Sequence, residues 1–543
     1  MSTERRKKVK VAHRGARLGI VVWFALLGCR TLPEFPGRRA EIPLAITRDP
    51  SGAVGSGRFH LATPTRAELE LDGWWWQVEV ALDGASIGTF APGLAPASVV
   101  LPEISAGEHT LALHVRDAGG ARERWNNSNR MRHLTTGRAW LRTLPRAHVS
   151  GVAVALRGDQ LVPTVSLAGD TDELRVGLTL SLDGEALAAW DAGPAGQALE
   201  ARAWSGPVWD LGAPGLVVAT ARLETADGTV VDAVSRRVGL RDSRVRDGVL
   251  TLNGRRSPLL ALRASLDSVQ GDVARDVARA RANALELHGT VVGTDWIETT
   301  DEWGLGVVVT PRCDGNQHPV GAPDPQQAQR VADQNARLLR AAAARPSILA
   351  WSCEGAFRGD PARCAFLAED PLERAVFGLE VAAAPMIGAE APVARARWVS
   401  EIAPGGFRGL DSIADEFLTA TGRSGPGGVI LDPPPRGYER WLGAWTRVRE
   451  ALGATPWTIA PRRSRSVVVV GGLVPAELVT LEIPGQAAVG AFADGRGEAR
   501  LEAWHEGAAT VVTATGRHAV TLRADEWDAE LRRVDRAVRV GGG

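Results

Sequence analysis

Lysine and tyrosine are nearly absent from this sequence. Its lysines, Lys7, Lys8 and Lys10, all lie within the first ten positions, and every later basic residue is arginine or histidine. We interpret this as a coding bias in a chain rich in alanine and glycine. A single tyrosine stands against 18 tryptophans. Tryptophan fills protein cores, and its flat apolar face also stacks on the C–H groups of sugar rings, so both uses stay open.

The sequence also lacks net charge. Its 63 basic and 63 acidic residues balance, so no overall field attracts nucleic acid, and we expect no nucleic-acid partner. The sequence has no P-loop, no zinc-ligand spacing, no basic stripe and no solenoid period. We therefore expect neither a cofactor nor a metal site.

Long apolar runs are missing except near the N-terminus. There, Leu18 to Leu27 follows a basic stretch and is too short to span a bilayer as a mature helix, which predicts a signal peptide over 1–28. The run closes on Leu26-Leu27-Gly28-Cys29, which resembles a bacterial lipobox. That resemblance implies lipidation of Cys29 and an exported protein that is anchored in the bacterial cell envelope, in the periplasm or at the outer membrane. An ordinary uncleaved anchor is the alternative.

Cysteine is scarce beyond this signal. Cys313, Cys353 and Cys364 remain, an odd number. Export makes disulfides feasible. Cys353 and Cys364 form the closer pair, but spacing alone does not establish a bridge between them.

The 543 residues, 45% hydrophobic and 23% charged, predict a folded protein of three or four domains. Residues 29–66 are broken by prolines and indicate a tether with an irregular first strand. Alternating apolar residues over 67–145 predict a β-sandwich, and Gly137–Arg142 marks the edge of its last strand. A second strand-rich block over 146–241, with Asp-Gly turns at 183–184 and 227–228, predicts an immunoglobulin-like sandwich.

The block over 242–460 alternates apolar strand-like runs with helical segments. This pattern is typical of a parallel sheet with helical crossovers. The predicted strands are 259–262, 283–288, 301–309, 347–352 and 428–432, and the predicted helices are 273–282 and 326–344. The block is shorter than the ~250 residues usual for a (β/α)8 barrel, so a reduced TIM-like barrel is expected. Residues 461–543 predict a small closing β-sandwich.

Motifs in these blocks resemble glycoside hydrolase family 2, the β-galactosidase, β-glucuronidase and β-mannosidase clan. Five residues match the family's fourth-strand motif P-S-I-x-x-W-S-x-G-N-E, namely Pro346, Ser347, Ile348, Trp351 and Ser352. Further stretches resemble the family's "G-E-H-x-L-x-L-x-V", "L-W-x-x-x-x-P-x-L", "G-F-R … L-N-G-K", "N-A-V-R-x-x-H" and "D-E-x-G-L-x-V". The resemblance implies a jelly-roll sugar-binding domain over 67–145 ahead of the immunoglobulin-like sandwich and the barrel.

The resemblance also implies site residues, with one departure. The family's acid/base glutamate falls on Ala356, which cannot transfer a proton. Glu354, two residues earlier, is the candidate substitute, and Glu401 in Ser400-Glu401 resembles the family's nucleophile. His288, Trp351 and Trp398 are the candidate sugar contacts, although His288 comes one place early and a structural histidine is the alternative.

Three hypotheses remain. The chain is an exo-acting glycosidase with a rearranged acid, an inactive relative that binds carbohydrate or scaffolds an envelope assembly, or a domain array that shares only the fold. The Glu354–Glu401 separation is the deciding quantity, because about 5–5.5 Å between the carboxyl groups supports retaining hydrolysis and about 6.5–9.5 Å supports an inverting water mechanism. A separation well beyond that favours carbohydrate binding without catalysis. Carbohydrate is the expected partner, and the sequence leaves the sugar, the linkage and the oligomeric state undetermined.

Overall fold

The protein is described here by a computed structural model. The structure describes residues 39–49, 52–72, 77–90, 96–116, 137–246, 249–263, 270–279, 281–288, 294–310, 345–352, 375–377, 428–431, 453–458, 462–528 and 533–541, with short helical pieces at 336–339, 341–342, 446 and 449–450. All of them fall within one compact unit, 35–543. Among them, no helix has the length and apolar character needed to cross a membrane.

The N-terminal domain is a β-sandwich. Its strands are β1 (Arg39–Ile42), β2 (Ala45–Asp49), β3 (Gly52–Leu61), β4 (Ala67–Asp72), β5 (Gln77–Leu82), β6 (Ala85–Phe90), β7 (Ala97–Val100), β8 (Gly107–Arg116) and β9 (Arg138–Thr143). One layer has the order β2-β3-β8-β5-β6, and β1-β9-β4-β7 belong to the other. Alternate residues such as Phe59, Leu69, Val80 and Leu113 fill the core between the layers.

One detail differs from the sequence prediction. Residues 39–61 form three paired strands instead of one irregular strand, because β3 pairs along its whole length with β8 and β2 pairs with β3. Strand β9 is the last strand of this domain, as the sequence predicted, and it lies between β1 and β4. Pro43 lies between β1 and β2, which belong to different sheets.

The second domain is a sandwich of a three-stranded sheet, β10-β11-β14, and a four-stranded sheet, β13-β12-β17-β18. Its turn at Asp183-Gly184 has φ of 50° and 85°, as a two-residue hairpin requires. A small sheet of β19-β20-β21 follows. The elements are β10 (His148–Arg157), β11 (Gln160–Ala168), β12 (Arg175–Leu182), β13 (Glu185–Pro194), β14 (Arg202–Ala203), β15 (Trp209–Asp210), β16 (Ala213–Pro214), β17 (Leu216–Glu224), β18 (Val230–Gly239), β19 (Ser243–Arg246), β20 (Val249–Leu252) and β21 (Arg255–Arg256).

The third region contains a parallel sheet of six described strands, in the order β26-β25-β24-β23-β22-β27. Two helices connect its first strands. The elements are β22 (Leu259–Arg263), α1 (Gln270–Arg279), β23 (Ala284–His288), α2 (Thr294–Trp303), β24 (Gly306–Thr310), β25 (Ile348–Ser352), β26 (Ala375–Phe377) and β27 (Gly428–Leu431). The predicted strands are confirmed, except that 301–303 end α2 and do not begin β24.

The C-terminal domain is also a β-sandwich, and it shares a sheet with the N-terminal one. Its strands are β28 (Arg462–Val470), β29 (Leu478–Glu482), β30 (Val489–Phe492), β31 (Ala499–Ala503), β32 (Gly507–Thr513), β33 (Gly516–Leu522), β34 (Ala524–Trp527), β35 (Arg533–Val534) and β36 (Val538–Val540). Strand β1 pairs in parallel with β30, which joins β33-β32-β29-β30 to β1-β9-β4-β7 in one eight-stranded sheet. The two end domains are therefore continuous rather than separate.

Candidate functional site

The candidate site is the edge of the parallel sheet where its strands end. Because all six strands run the same way, their carboxyl ends meet at one edge, where α/β proteins build their sites. The last strand residues there are Arg263, His288, Thr310, Ser352, Phe377 and Leu431.

Two of the predicted site residues fall within the described strands. His288 ends β23, and its backbone is in register with Thr310 of β24. Trp351 lies in β25, in register with Val309. Since side chains alternate along a strand, this register places Trp351 on the opposite face of the sheet from Val308 and Ala350. Trp351 is also fully buried, which favours a core role, and its role as a sugar contact stays a prediction.

The other predicted site residues lie outside the described residues. These are Glu354, Trp398, Glu401 and the lipidation residue Cys29, and Ala356 lies there too. Strand β25 ends at Ser352, so the chain reaches Glu354 two residues after the strand. The structure therefore places the strand that leads to Glu354, and the Glu354–Glu401 separation stays a prediction.

A buried carboxylate that the sequence analysis did not single out lies in this sheet. Glu286 of β23 is fully buried, two positions before the end of the strand at His288. Its register neighbours are Arg263 and Val308. The signal was available, because Glu286 occupies the arginine position of "N-A-V-R-x-x-H". Glu286 thus carries the opposite charge to the arginine of the family motif, at a fully buried position of the strand.

Several strand positions near Glu286 in the sheet belong to an apolar cluster. Ala261, Ala284, Val308 and Ala350 form one buried cluster with Trp209, contributed by the second domain. These small residues leave room for the large indole between the sheet and the neighbouring domain. The same cluster also contains Leu211, Leu216, Leu250, Leu252, Leu259 and Leu349.

The matched motif residues around the sheet are structural. Asn283, just before β23, accepts a hydrogen bond from the Leu260 amide at 2.8 Å and donates one to the Pro258 carbonyl at 3.0 Å. It is 1% exposed, and it fixes the start of β23 against β22. Asn253 similarly donates to the Trp209 carbonyl at 3.0 Å. Both asparagines satisfy buried backbone groups, which explains why an amide suits these positions.

The "D-E" motif at the end of α2 and the "P-S-I" motif of β25 bind each other. Asp301 accepts a hydrogen bond from the Ser347 amide at 2.9 Å, and the hydroxyls of Thr300 and Ser347 are 3.0 Å apart. Burial raises the pKa of Asp301, and the nearby guanidinium of Arg345 opposes that rise. These bonds fix the start of β25 against α2 and thereby the direction of the strand.

A second arginine–carboxylate contact completes this junction. Arg345 donates to Glu298 at 2.7 Å and lies 3.5 Å from Asp301. Burial tends to raise the pKa of Glu298, but the charges of Arg345 and Arg237 outweigh it and lower the pKa to about 2. Glu298 is therefore ionised at neutral pH and has no proton to donate.

Glu302 joins three domains. Its side chain accepts hydrogen bonds from the Ser464 hydroxyl at 2.8 Å and the Trp527 indole at 2.6 Å, both in the C-terminal domain. It also lies 3.4 Å from Arg237 of the second domain. Glu302 itself is on α2 of the parallel-sheet region and is 3% exposed. Glu302 thus links the parallel-sheet region to both the second and the C-terminal domain.

The first domain's matched histidine is structural as well. His109 of the "G-E-H" segment is buried, and its Nδ1 is 2.7 Å from Asp83 while its Nε2 is 2.8 Å from the Ser105 carbonyl. Burial raises the pKa of Asp83, but the hydrogen bonds from His109 and the Thr110 amide together with the charge of His109 outweigh it and lower the pKa. Asp83 begins the β5–β6 turn, so His109 fixes that turn against β8.

No metal site is found in the described part of the chain. Among those residues, no group of three or more histidine, cysteine, aspartate or glutamate side chains could hold a metal ion.

Comparison with known proteins places this fold. No protein-family model matches the chain. A β-galactosidase, BgaC of Bifidobacterium adolescentis, is 24% identical over 378 residues, covering 59% of this chain and 36% of the relative. The chain thus spans about a third of the length of this curated relative.

Two solved structures have a similar fold. A family 2 β-galacturonidase of Eisenbergiella tayi, in a crystal structure with glycerol, has a TM-score of 0.53 at 16% identity and covers 77% of this chain and 96% of its own. A β-glucuronidase of Bifidobacterium dentium, complexed with coumarin-3-O-glucuronide, has a TM-score of 0.53 at 16% identity, with 75% and 81% covered. At this identity the likeness concerns the fold alone. The chain has the multidomain, mostly β fold of these two structures. The resemblance to glycoside hydrolase family 2 that the sequence motifs indicated is confirmed.

Proposed function

We propose that this protein acts on or binds carbohydrate at the carboxyl edge of its parallel sheet, as a divergent relative of glycoside hydrolase family 2. The observation that carries the proposal is the strand order β26-β25-β24-β23-β22-β27, in which the matched fourth-strand motif forms β25 beside β24. Because β27 pairs with β22 and not with β26, this order supports closure of the sheet into a reduced TIM-like barrel.

In the hydrolytic form of the proposal, Glu401 is the nucleophile and Glu354 is the acid/base. The Glu401 carboxylate forms a bond to the anomeric carbon while the glycosidic C–O bond breaks, and Glu354 gives its proton to the leaving oxygen. Water then attacks the same carbon, Glu354 takes a proton from it, and Glu401 is released. His288 would contact a sugar hydroxyl beside them.

The inactive alternative has an observation of its own. The matched motif residues that hold the fold are buried and bonded, as Asn283, Asp301 and Ser347 illustrate. The acid/base position, in contrast, is occupied by Ala356. A chain that keeps its structural residues without its proton donor fits a carbohydrate-binding or scaffolding role.

Hydrolysis of a panel of aryl glycosides, including glucuronides, galacturonides and galactosides, distinguishes the two forms. An active enzyme releases the aryl alcohol, and Glu401→Gln lowers its kcat at least 1,000-fold because no covalent intermediate forms. Wild-type protein that releases nothing, yet binds a glycan by calorimetry, supports the inactive form. Activity that survives Glu401→Gln contradicts the proposed nucleophile.

We also propose that the protein is exported and anchored by lipid at Cys29. The support is the basic stretch, the short apolar run and Leu26-Leu27-Gly28-Cys29. Cys29→Ser should abolish incorporation of labelled fatty acid and move the protein out of the membrane fraction. Unchanged labelling and fractionation would contradict the anchor.

A further inference from the structure

A basic cavity opens on the C-terminal domain. Its volume is about 480 Å³, and it is lined by Arg523, Asp535, Arg536, Ala537 and Arg539. Three guanidinium groups thus share the lining with one carboxylate, and no lining residue is aromatic. A cavity with this lining suits an anion rather than an apolar ligand, because its surface offers charge and hydrogen-bond donors.

Two of these arginines have no partner among the residues that the structure describes. Arg536 pairs with Glu526 at 2.8 Å, whereas Arg523 and Arg539 make no ion pair or side-chain hydrogen bond within the part of the chain that the structure describes. Both are exposed.

Two other exposed arginines of this domain are paired. Arg517 pairs with Glu482, and Arg500 lies 3.3 Å from Glu502. Arg523 and Arg539 share the lack of a described side-chain partner with Arg496, but they line one cavity together, where their donors are available to a ligand.

A buried carboxylate next to the cavity, Asp525, fixes the turn that carries Arg536. Asp525 is 1% exposed, and it accepts hydrogen bonds from the Arg533 side chain and the Arg536 amide, both at 2.8 Å. Arg539 lies in β36, whose backbone pairs in parallel with β28. Arg523 directly follows β33. Because the donors stand on strands and a braced turn, an anion that binds has to order their side chains but not their backbone.

We propose that this cavity binds the carboxylate groups of an acidic polysaccharide. A guanidinium group matches a carboxylate in a planar, two-point fashion. Each exposed contact alone is weak, but a polymer of uronic acids presents many carboxylates and raises the effective concentration of the next one. The anion site stands on the cavity geometry, and its assignment to a polysaccharide rests on the proposed carbohydrate function.

Affinity electrophoresis and calorimetry of the full chain with polygalacturonate test the proposal. Highly methyl-esterified polygalacturonate serves as the uncharged ligand of the same backbone. The test variant is Arg523→Ala/Arg539→Ala, and the matched control is Arg500→Ala/Arg517→Ala, which removes the same charge from paired arginines of the same domain. Unchanged melting temperatures verify that both variants fold.

We expect the wild type and the control to bind polygalacturonate and not its methyl ester, with binding that weakens as salt screens the charges. The test variant should lose on the order of tenfold in affinity. Equal losses in both variants, equal binding of the methyl ester, or equal binding of single-stranded DNA would overturn the proposal. The result is independent of aryl glycoside hydrolysis, so failure here and failure of the proposed activity can be told apart.

Discussion

Replacing Glu302 should separate the parallel-sheet region from the C-terminal domain. Glu302→Leu leaves the Ser464 hydroxyl and the Trp527 indole without the carboxylate that accepts their hydrogen bonds. Each such buried donor costs about 1–3 kcal/mol. The change also removes the ion partner of Arg237, and breaking a buried ion pair costs about 3–5 kcal/mol.

The total should be less than the sum of these terms. Arg237 also stacks on Trp504, with its guanidinium carbon 3.2 Å from the ring centroid, and donates to the Glu298 carbonyl at 3.3 Å. These two contacts still stabilise the buried Arg237 side chain when Glu302 is replaced. We therefore expect Glu302→Leu to lower the free energy of unfolding by about 4 kcal/mol, and Glu302→Gln by about 2 kcal/mol because an amide still accepts one hydrogen bond.

Chemical denaturation followed by tryptophan fluorescence measures this effect. Trp303 packs edge-on against Trp527 at 5.4 Å, so the junction contributes to the fluorescence change of the 18 tryptophans. The control is Glu108→Leu, whose pair with Arg58 is more than half exposed and should contribute under about 1 kcal/mol. If the Glu302 and Glu108 variants unfolded at the same denaturant concentration, the assigned role of the buried carboxylate would be wrong.

Three further outcomes are expected. Because the pKa of Glu298 falls from 4.5 to about 2 on folding, its stabilisation of at most about 3 kcal/mol is present above pH 4.5 and is lost as pH falls towards 2; Glu298→Gln should flatten the acid limb of a stability–pH curve. A Cβ at Gly490 would lie 3.0 Å from that of Ala40, so Gly490→Val should cost about 1–3 kcal/mol and expose β1 to proteolysis, whereas Gly495→Val, with open space around it, should not. His109→Leu removes both hydrogen bonds of a buried imidazole and should lower the free energy of unfolding by about 1–3 kcal/mol, measured by thermal denaturation; a change within error would contradict its structural role.

The strands were largely predictable, and the site only in part. Alternation in β4 and the Asp183-Gly184 turn are local signals, so the first two sandwiches could be inferred from short stretches. Glu286 differs from the arginine of the family motif, which the sequence shows, but its burial became evident only once the sheet around it was known. The face of the sheet on which Trp351 lies was known only from the register between β25 and β24. Residue spacing along the chain does not reveal that register.

The sequence by itself determined the local structure, namely the strand periods, the hairpin turns and the motif order that pointed to glycoside hydrolase family 2. Only the tertiary structure decided which distant groups meet. It joined β1 to β30 in one sheet, and it gave Glu302 partners 162 and 225 positions away in the chain. The physical reason is that periodicity and turn preference act over a few residues, whereas strand register and the pairing of buried charges depend on groups that come together only when the chain packs.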